Sequence, residues 1–161
     1  MSCAAAIPER PEMLPALLSL AIVSPRLIAT DLREHRLPNP LVGLAGLGAL
    51  LAWTAAWVLR GTPDLSAALT GVVTLLLLLA LSLLGGLGMG DVKLGAVLAW
   101  SAALVDPANA LLSGLLAVVC GGVQSAVVLV RTRDRHRSIA FGPALLAGYW
   151  LPVVWLAAVP G

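Results

Sequence analysis

Two aspartates stand out as residues able to do chemistry in an otherwise apolar chain. Asp31 closes a long hydrophobic run and is followed by Arg33, Arg36, Leu37, Pro38 and Asn39, while Asp91 opens another run behind Gly85, Gly86, Gly88 and Gly90 and ahead of Lys93. Paired carboxylates suit hydrolysis of a peptide bond. One, ionised, takes a proton from water, and the other, protonated, polarises the scissile carbonyl and then serves the leaving amine. Two like charges a few Å apart do not both ionise cheaply, so such a pair divides these roles. If Asp31 ends one helix and Asp91 begins another, the helix dipoles favour Asp91 as the resting base and Asp31 as the resting acid.

The elements that must position this pair follow from composition. The 161 residues are 60% hydrophobic and 11% charged, with a mean hydropathy of +0.98. Soluble domains carry about a quarter charged residues, so the chain is an integral membrane protein. Backbone hydrogen bonding in lipid makes each apolar segment a helix. Charge and Pro/Gly punctuation place six at 13–30, 40–59, 65–87, 91–105, 108–130 and 139–159. The predicted fold is all-α, with a polar tail over 1–12 and one six-helix transmembrane domain over 13–161. Six spans leave both termini on one side. Arg33, Arg36, Lys93, Arg131, Arg133, Arg135 and Arg137 fall on the opposite side, and only Arg10 and Arg60 on the side of the termini. The positive-inside rule therefore predicts termini outside and loops 31–39, 86–93 and 131–138 in the cytoplasm. Asp31 and Asp91 then share one face.

Other polar residues read as structural. Asp64 and Asp106 fall on the far face, Glu34 and Asp134 sit among arginines, and the arginine run reads as a headgroup anchor. Trp53, Trp57, Trp100, Trp150 and Trp155 read as interface anchors and packing residues. Cys3 and Cys120 read as free thiols, His35 and His136 as loop histidines, and no residues have metal-ligand spacing. No basic groove or stacking platform suggests nucleic acid. From Asp91 to Val105 a helix covers about 22 Å, less than the roughly 30 Å hydrocarbon core, so it is expected to start recessed. Glycines 85, 86, 88 and 90 would permit positive φ or close approach there, against a reading as plain small-residue packing. Pro25 is expected to bend the first helix.

The chain resembles the prepilin peptidase (type IV leader peptidase) family, polytopic aspartic proteases of the bacterial inner membrane. The resemblance rests on Asp31 with Arg36, Leu37, Pro38 and Asn39, on Gly88, Gly90, Asp91 and Lys93, and on Phe141, Gly142 and Pro143. The usual proline before the Phe-Gly pair is Ala140 here. The resemblance implies that Asp31 and Asp91 are the catalytic pair of an enzyme removing the basic leader from type IV prepilins or pilin-like proteins. The leader and stem helix of such a substrate would be its partner. It implies substrate-binding or site-shaping roles for Gly88, Gly90, Lys93, Arg36, Pro38, Asn39, Phe141, Gly142 and Pro143, and no cofactor. Longer relatives also methylate the new N-terminus through a region with paired Cys-x-x-Cys motifs, which this sequence lacks, so a peptidase-only form is expected.

Two other readings stay open. A presenilin-type intramembrane protease also uses a Gly-x-Gly-Asp string but pairs it with Tyr-Asp, and Tyr149 has no aspartate beside it. A small ion-coupled transporter or channel subunit would use the same aspartates as proton or cation sites.

Overall fold

The computed structural model describes residues 10–34, 36–84, 87–132 and 140–158. A short 3₁₀ turn over Pro11–Met13 leads into α1 (Leu14–Glu34), α2 (Asn39–Arg60), α3 (Leu65–Leu83), α4 (Met89–Val105), α5 (Pro107–Thr132) and α6 (Gly142–Ala158). Among the described residues there is no strand, and the chain is an all-α polytopic membrane protein. The 3₁₀ turn with α1, and α2, α3 and the Pro107–Val128 part of α5, are long and apolar enough to cross a bilayer. The 17-residue α4 and α6 reach only about 26 Å each.

The bounds differ from expectation where local chemistry decides them. α1 runs four residues past 30, because nothing breaks it before Pro38, and Asp31 therefore lies inside its last turn. α3 stops at Leu83 instead of 87. α4 starts at Met89, two residues before Asp91, with Gly88 at its N-cap. α6 starts at Gly142, three residues later than expected, with Pro143 in the first turn, where a missing N–H costs nothing. Pro25 lies within one unbroken α1.

The packing places α4 at the centre. It touches α2, α3, α5 and α6, and its buried residues lie around most of its circumference, as a helix surrounded by others requires. α1 instead buries one stripe, Ala16, Leu20, Val23 and Leu27, spaced by three and four residues, and the next member of that stripe is Asp31. Small residues let the helices approach. Ala45, Ala49, Ala52 and Ala56 form the buried seam of α2, where Gly48 lies against Ser19 and the Pro15 carbonyl. On α6, a Cβ at Gly148 would lie 2.6 Å from the Ser113 carbonyl and 2.7 Å from Ala117 Cα, both backbone atoms of α5. Gly148→Ala is therefore expected to force α5 and α6 apart and to cost about 1–3 kcal/mol, read as a lower unfolding midpoint in detergent.

The end opposite Asp31 and Asp91 is tied by polar contacts. Arg60 Nη2 meets Glu12 Oε1 at 2.7 Å, and Arg10 Nη1 donates to the Val105 carbonyl at 2.8 Å, satisfying the open end of α4. Arg10 and Arg60 thus share one end, as their place in the charge pattern requires. Asp64 caps α3 by accepting from Ala67 N at 3.1 Å, and Asp106 caps α5 by accepting from Ala108 N at 2.9 Å. Partial burial opposes ionisation of Asp64, but the Ser66 hydroxyl and the Ala67 N–H hold its carboxyl below the usual carboxylate range. Gly61, at φ 75°, ends α2 in the left-handed conformation that glycine adopts without strain.

Candidate active site

Asp31 reaches the interior because it continues the buried stripe of α1, and it is 4% exposed. A charged group so placed needs hydrogen bonds, and α6 supplies one. The Gly142 N–H, at the first position of α6, donates to Asp31 Oδ2 at 2.8 Å. The start of α6 is fixed in turn by α5, since Gln124 Nε2 donates to the Ala140 carbonyl at 2.8 Å. That bond uses the backbone carbonyl of residue 140, so the alanine at the position where the resemblance leads one to expect proline provides it.

Asp91 occupies the third position of α4. Its carboxyl turns back to the Gly88 backbone, as acidic residues at this position do, and the unpaired N–H groups of the helix end favour it there. Its other oxygen, Oδ1, is buried with no hydrogen-bond partner. The two aspartates line one cavity of about 300 Å³ together with Arg36, Leu37, Asn39, Gly88, Met89, Gly90 and Lys93. Sixty residues of sequence separate them, and the tertiary packing of α1 against α6 and of α4 against α2 and α6 brings them into one space.

The glycines act through close approach. Gly88 has φ −71°, and among the described residues Gly61 is the glycine with positive φ, so left-handed backbone is not what Gly88 and Gly90 provide. A Cβ on Gly90 would stand 2.9 Å from Leu37 Cβ, and one on Gly142 would stand 2.7 Å from Asp31 Oδ2 and 3.2 Å from Leu37 Cδ2. Leu37 is thus wedged between α4 and α6, with its loop drawn over the dyad. Gly85 and Gly86 lie outside the described residues.

Lys93 projects away from Asp91 and donates to Asn39 Oδ1 at 3.1 Å, joining the start of α2 to α4 at the rim of the cavity. Of the residues singled out in the sequence, Asp31, Asp91, Arg36, Asn39, Gly88, Gly90 and Lys93 meet in the cavity. Gly142 touches Asp31 from behind. Pro38 is the N-cap of α2, Pro143 sits in the first turn of α6, and Phe141 packs against the core and Gly121. These three do not line the cavity. Leu37 and Met89 also line it, and neither was assigned a site role from the sequence, although Leu37 belongs to the string beside Asp31. An apolar residue amid the charges of 33–39 was a usable signal for Leu37, whereas nothing in the sequence marks Met89.

Among the described residues no three His, Cys, Asp or Glu side chains gather as a metal site. His35, His136, Cys3, Asp134, Arg133, Arg135 and Arg137 lie outside the described residues, as does the Arg131 side chain. Tyr149 is buried in α6 and stacks edge-on against Trp150, with ring centroids 5.4 Å apart.

The chain matches no curated protein and no solved structure significantly. A family model described as the type IV leader peptidase family matches residues 16–126, a stretch that holds both aspartates and every cavity-lining residue but stops short of Phe141, Gly142 and Pro143. With that match over more than half its length and six helices bringing Asp31 and Asp91 to one cavity, the chain belongs to the type IV leader peptidase family.

Proposed function

We propose that this protein is an aspartic endopeptidase that removes the basic leader from type IV prepilins or pilin-like proteins at the cytoplasmic face of the inner membrane, with both termini outside. One observation carries the reading: two carboxylates on different helices line a single cavity in a chain of this peptidase family. The scissile carbonyl and a water enter that cavity. One carboxylate takes a proton from the water as it attacks, and the other donates to the carbonyl oxygen and afterwards to the leaving amine.

The tertiary contacts favour the opposite division of labour from the helix dipoles alone. Each carboxyl accepts one backbone N–H, Asp31 from Gly142 and Asp91 from Gly88, so the remaining oxygens separate the two. The unpartnered Oδ1 of Asp91 suits a protonated oxygen free to donate to a carbonyl. The Lys93–Asn39 bond, together with Gly88 and Gly90, holds the rim narrow and lets a substrate backbone approach. Pro38, Phe141 and Pro143 shape the loop and the start of α6 that carry these groups. No cofactor takes part. Cys3 and Cys120 form no Cys-x-x-Cys pair, and methyl transfer is no part of the proposed activity.

The test is co-expression with a pilin-like protein bearing a basic leader, a glycine and a hydrophobic stem. Leader removal is followed by mobility and N-terminal sequencing. The proposal expects a new N-terminus just before the stem. An uncleaved leader alongside Asp31-dependent ion flux would favour a transporter instead.

A further inference from the structure

Helices adjacent in sequence pack against each other in this bundle, with the exception of the pair α2 and α3. α2 rests on α1 and α4, and α3 on α4 and marginally on α5, although only residues 61–64 join the two. The consequence is visible on α4. This helix is enclosed on its other sides, yet Met89, Lys93, Ala96, Val97 and Trp100 remain wholly or partly exposed, at spacings of three and four residues that form a single stripe. One edge of the stripe borders α2, where a Cβ on Gly46 would meet Val97 at 3.6 Å, and where Lys93 reaches Asn39. The other edge borders α3, where a Cβ on Gly71 would stand 2.9 Å from Trp100 Cβ. The stripe is therefore the floor of a cleft walled by α2 and α3.

The two ends of this cleft differ. Away from the dyad it is shut by aromatic rings: Trp53 lies 5.6 Å from Trp57 and 6.3 Å from Trp100, and Trp53 Nε1 donates to the Asp64 carbonyl at 2.9 Å. Towards the dyad it opens at Asn39, Met89 and Lys93, and those same residues line the cavity holding Asp31 and Asp91. Along α2 from Asn39 to Trp53 the wall runs for about 21 Å, enough for some fourteen residues of a helix. Its surface suits a helix rather than a bulky headgroup, because Gly43 has open space beside it and Gly46 and Ala96 are small, so a backbone can come close.

We propose that the cleft between α2 and α3 seats the hydrophobic stem helix of the substrate, with the stem's N-terminal end delivered at Asn39 and Lys93 into the dyad cavity. The inference rests on the peptidase reading above and adds to it the place where the substrate docks. A stem held in this cleft presents the bond just before its first turn to Asp31 and Asp91, so the aromatic closure at one end and the open cavity at the other set the depth of the cut.

The test uses a synthetic pilin-like protein with a basic leader and an apolar stem, and a second peptide that ends at the junction and lacks the stem. A Cβ on Gly43 meets nothing within 4 Å, so Gly43→Phe starts its ring in the open space beside α2. It is expected to raise KM for the stemmed protein at least tenfold and to lower the preference for stemmed over stemless substrate by the same factor. Leu111→Phe on the outer face of α5, 77% exposed, is expected to change neither. In a second arm, with Cys3 and Cys120 replaced by Ser, cysteines placed at Gly43 or Leu50 are expected to crosslink to stem cysteines recurring every three or four residues, and one placed at Leu111 is not. Normal KM in Gly43→Phe, or crosslinks from Gly43 and Leu50 only to a second copy of the chain, would overturn the docking site and leave the peptidase reading intact. Stem crosslinks without any cleavage by the unaltered enzyme would uphold the docking site and sink the peptidase reading.

Discussion

Replacing either Asp31 or Asp91 by Asn is expected to lower leader cleavage by about a thousand-fold or more while leaving the fold in place. The size follows from the contribution of positioned acids and bases, roughly 10²–10⁴ each, and from the fact that a pair acting on one water fails as a unit. Asn keeps the shape of Asp. At position 31 its amide oxygen still accepts from the Gly142 N–H, so the contact between α1 and α6 survives. The loss is then chemical, and should appear in kcat with unchanged expression and detergent melting. Either variant retaining near-normal cleavage would remove that residue from the catalytic pair. The same variants address which residue holds the proton. An infrared carbonyl band from a protonated carboxyl should vanish in Asp91→Asn and persist in Asp31→Asn. The reverse pattern would restore the division suggested by the helix dipoles.

The second large effect is expected from a methyl group. Gly142→Ala keeps the N–H that holds Asp31 but adds a Cβ 2.7 Å from Oδ2, 3.2 Å from Asp31 Cγ and 3.2 Å from Leu37 Cδ2. Asp31 is short and buried, and Leu37 is already wedged against Gly90, so neither yields freely. The carboxylate must shift by a fraction of an ångström to about 1 Å. Displacement of that order costs about a hundredfold in a reaction that depends on alignment. The expected result is a fall in kcat of about a hundredfold with KM little changed, checked by steady-state cleavage of the stemmed substrate. Activity within threefold of the unaltered enzyme would show that the α6 terminus does not position the dyad.

The local features of this protein were legible one helix at a time. Six apolar segments marked six helices, because lipid leaves the backbone no other way to satisfy its polar groups. The scarcity of acids made Asp31 and Asp91 conspicuous, since a carboxylate near a span is costly unless it has work to do. The inward aim of Asp31 was not legible, because Leu14, Leu18 and Ile22 on the outer face are as apolar as the buried stripe Ala16, Leu20, Val23 and Leu27 that Asp31 continues. The strings around the aspartates also placed Lys93, Asn39 and Gly90 near the dyad, without saying what each would touch.

What the tertiary structure decided was every relation between helices. In lipid, apolar side chains gain little by choosing one apolar neighbour over another, so the pairing of helices depends on the fit of small residues and a few hydrogen bonds that no single segment reveals. The packing of α4 at the centre, the donation from Gly142 to Asp31, the wedge of Leu37 between Gly90 and Gly142, and the gap between α2 and α3 all arise from that fit. The surroundings of Asp31 show the difference most directly. The sequence alone places each carboxylate at the end of its own helix, whereas the fold brings the N-terminus of a third helix to Asp31, with a hydrogen bond at 2.8 Å that no single segment reveals.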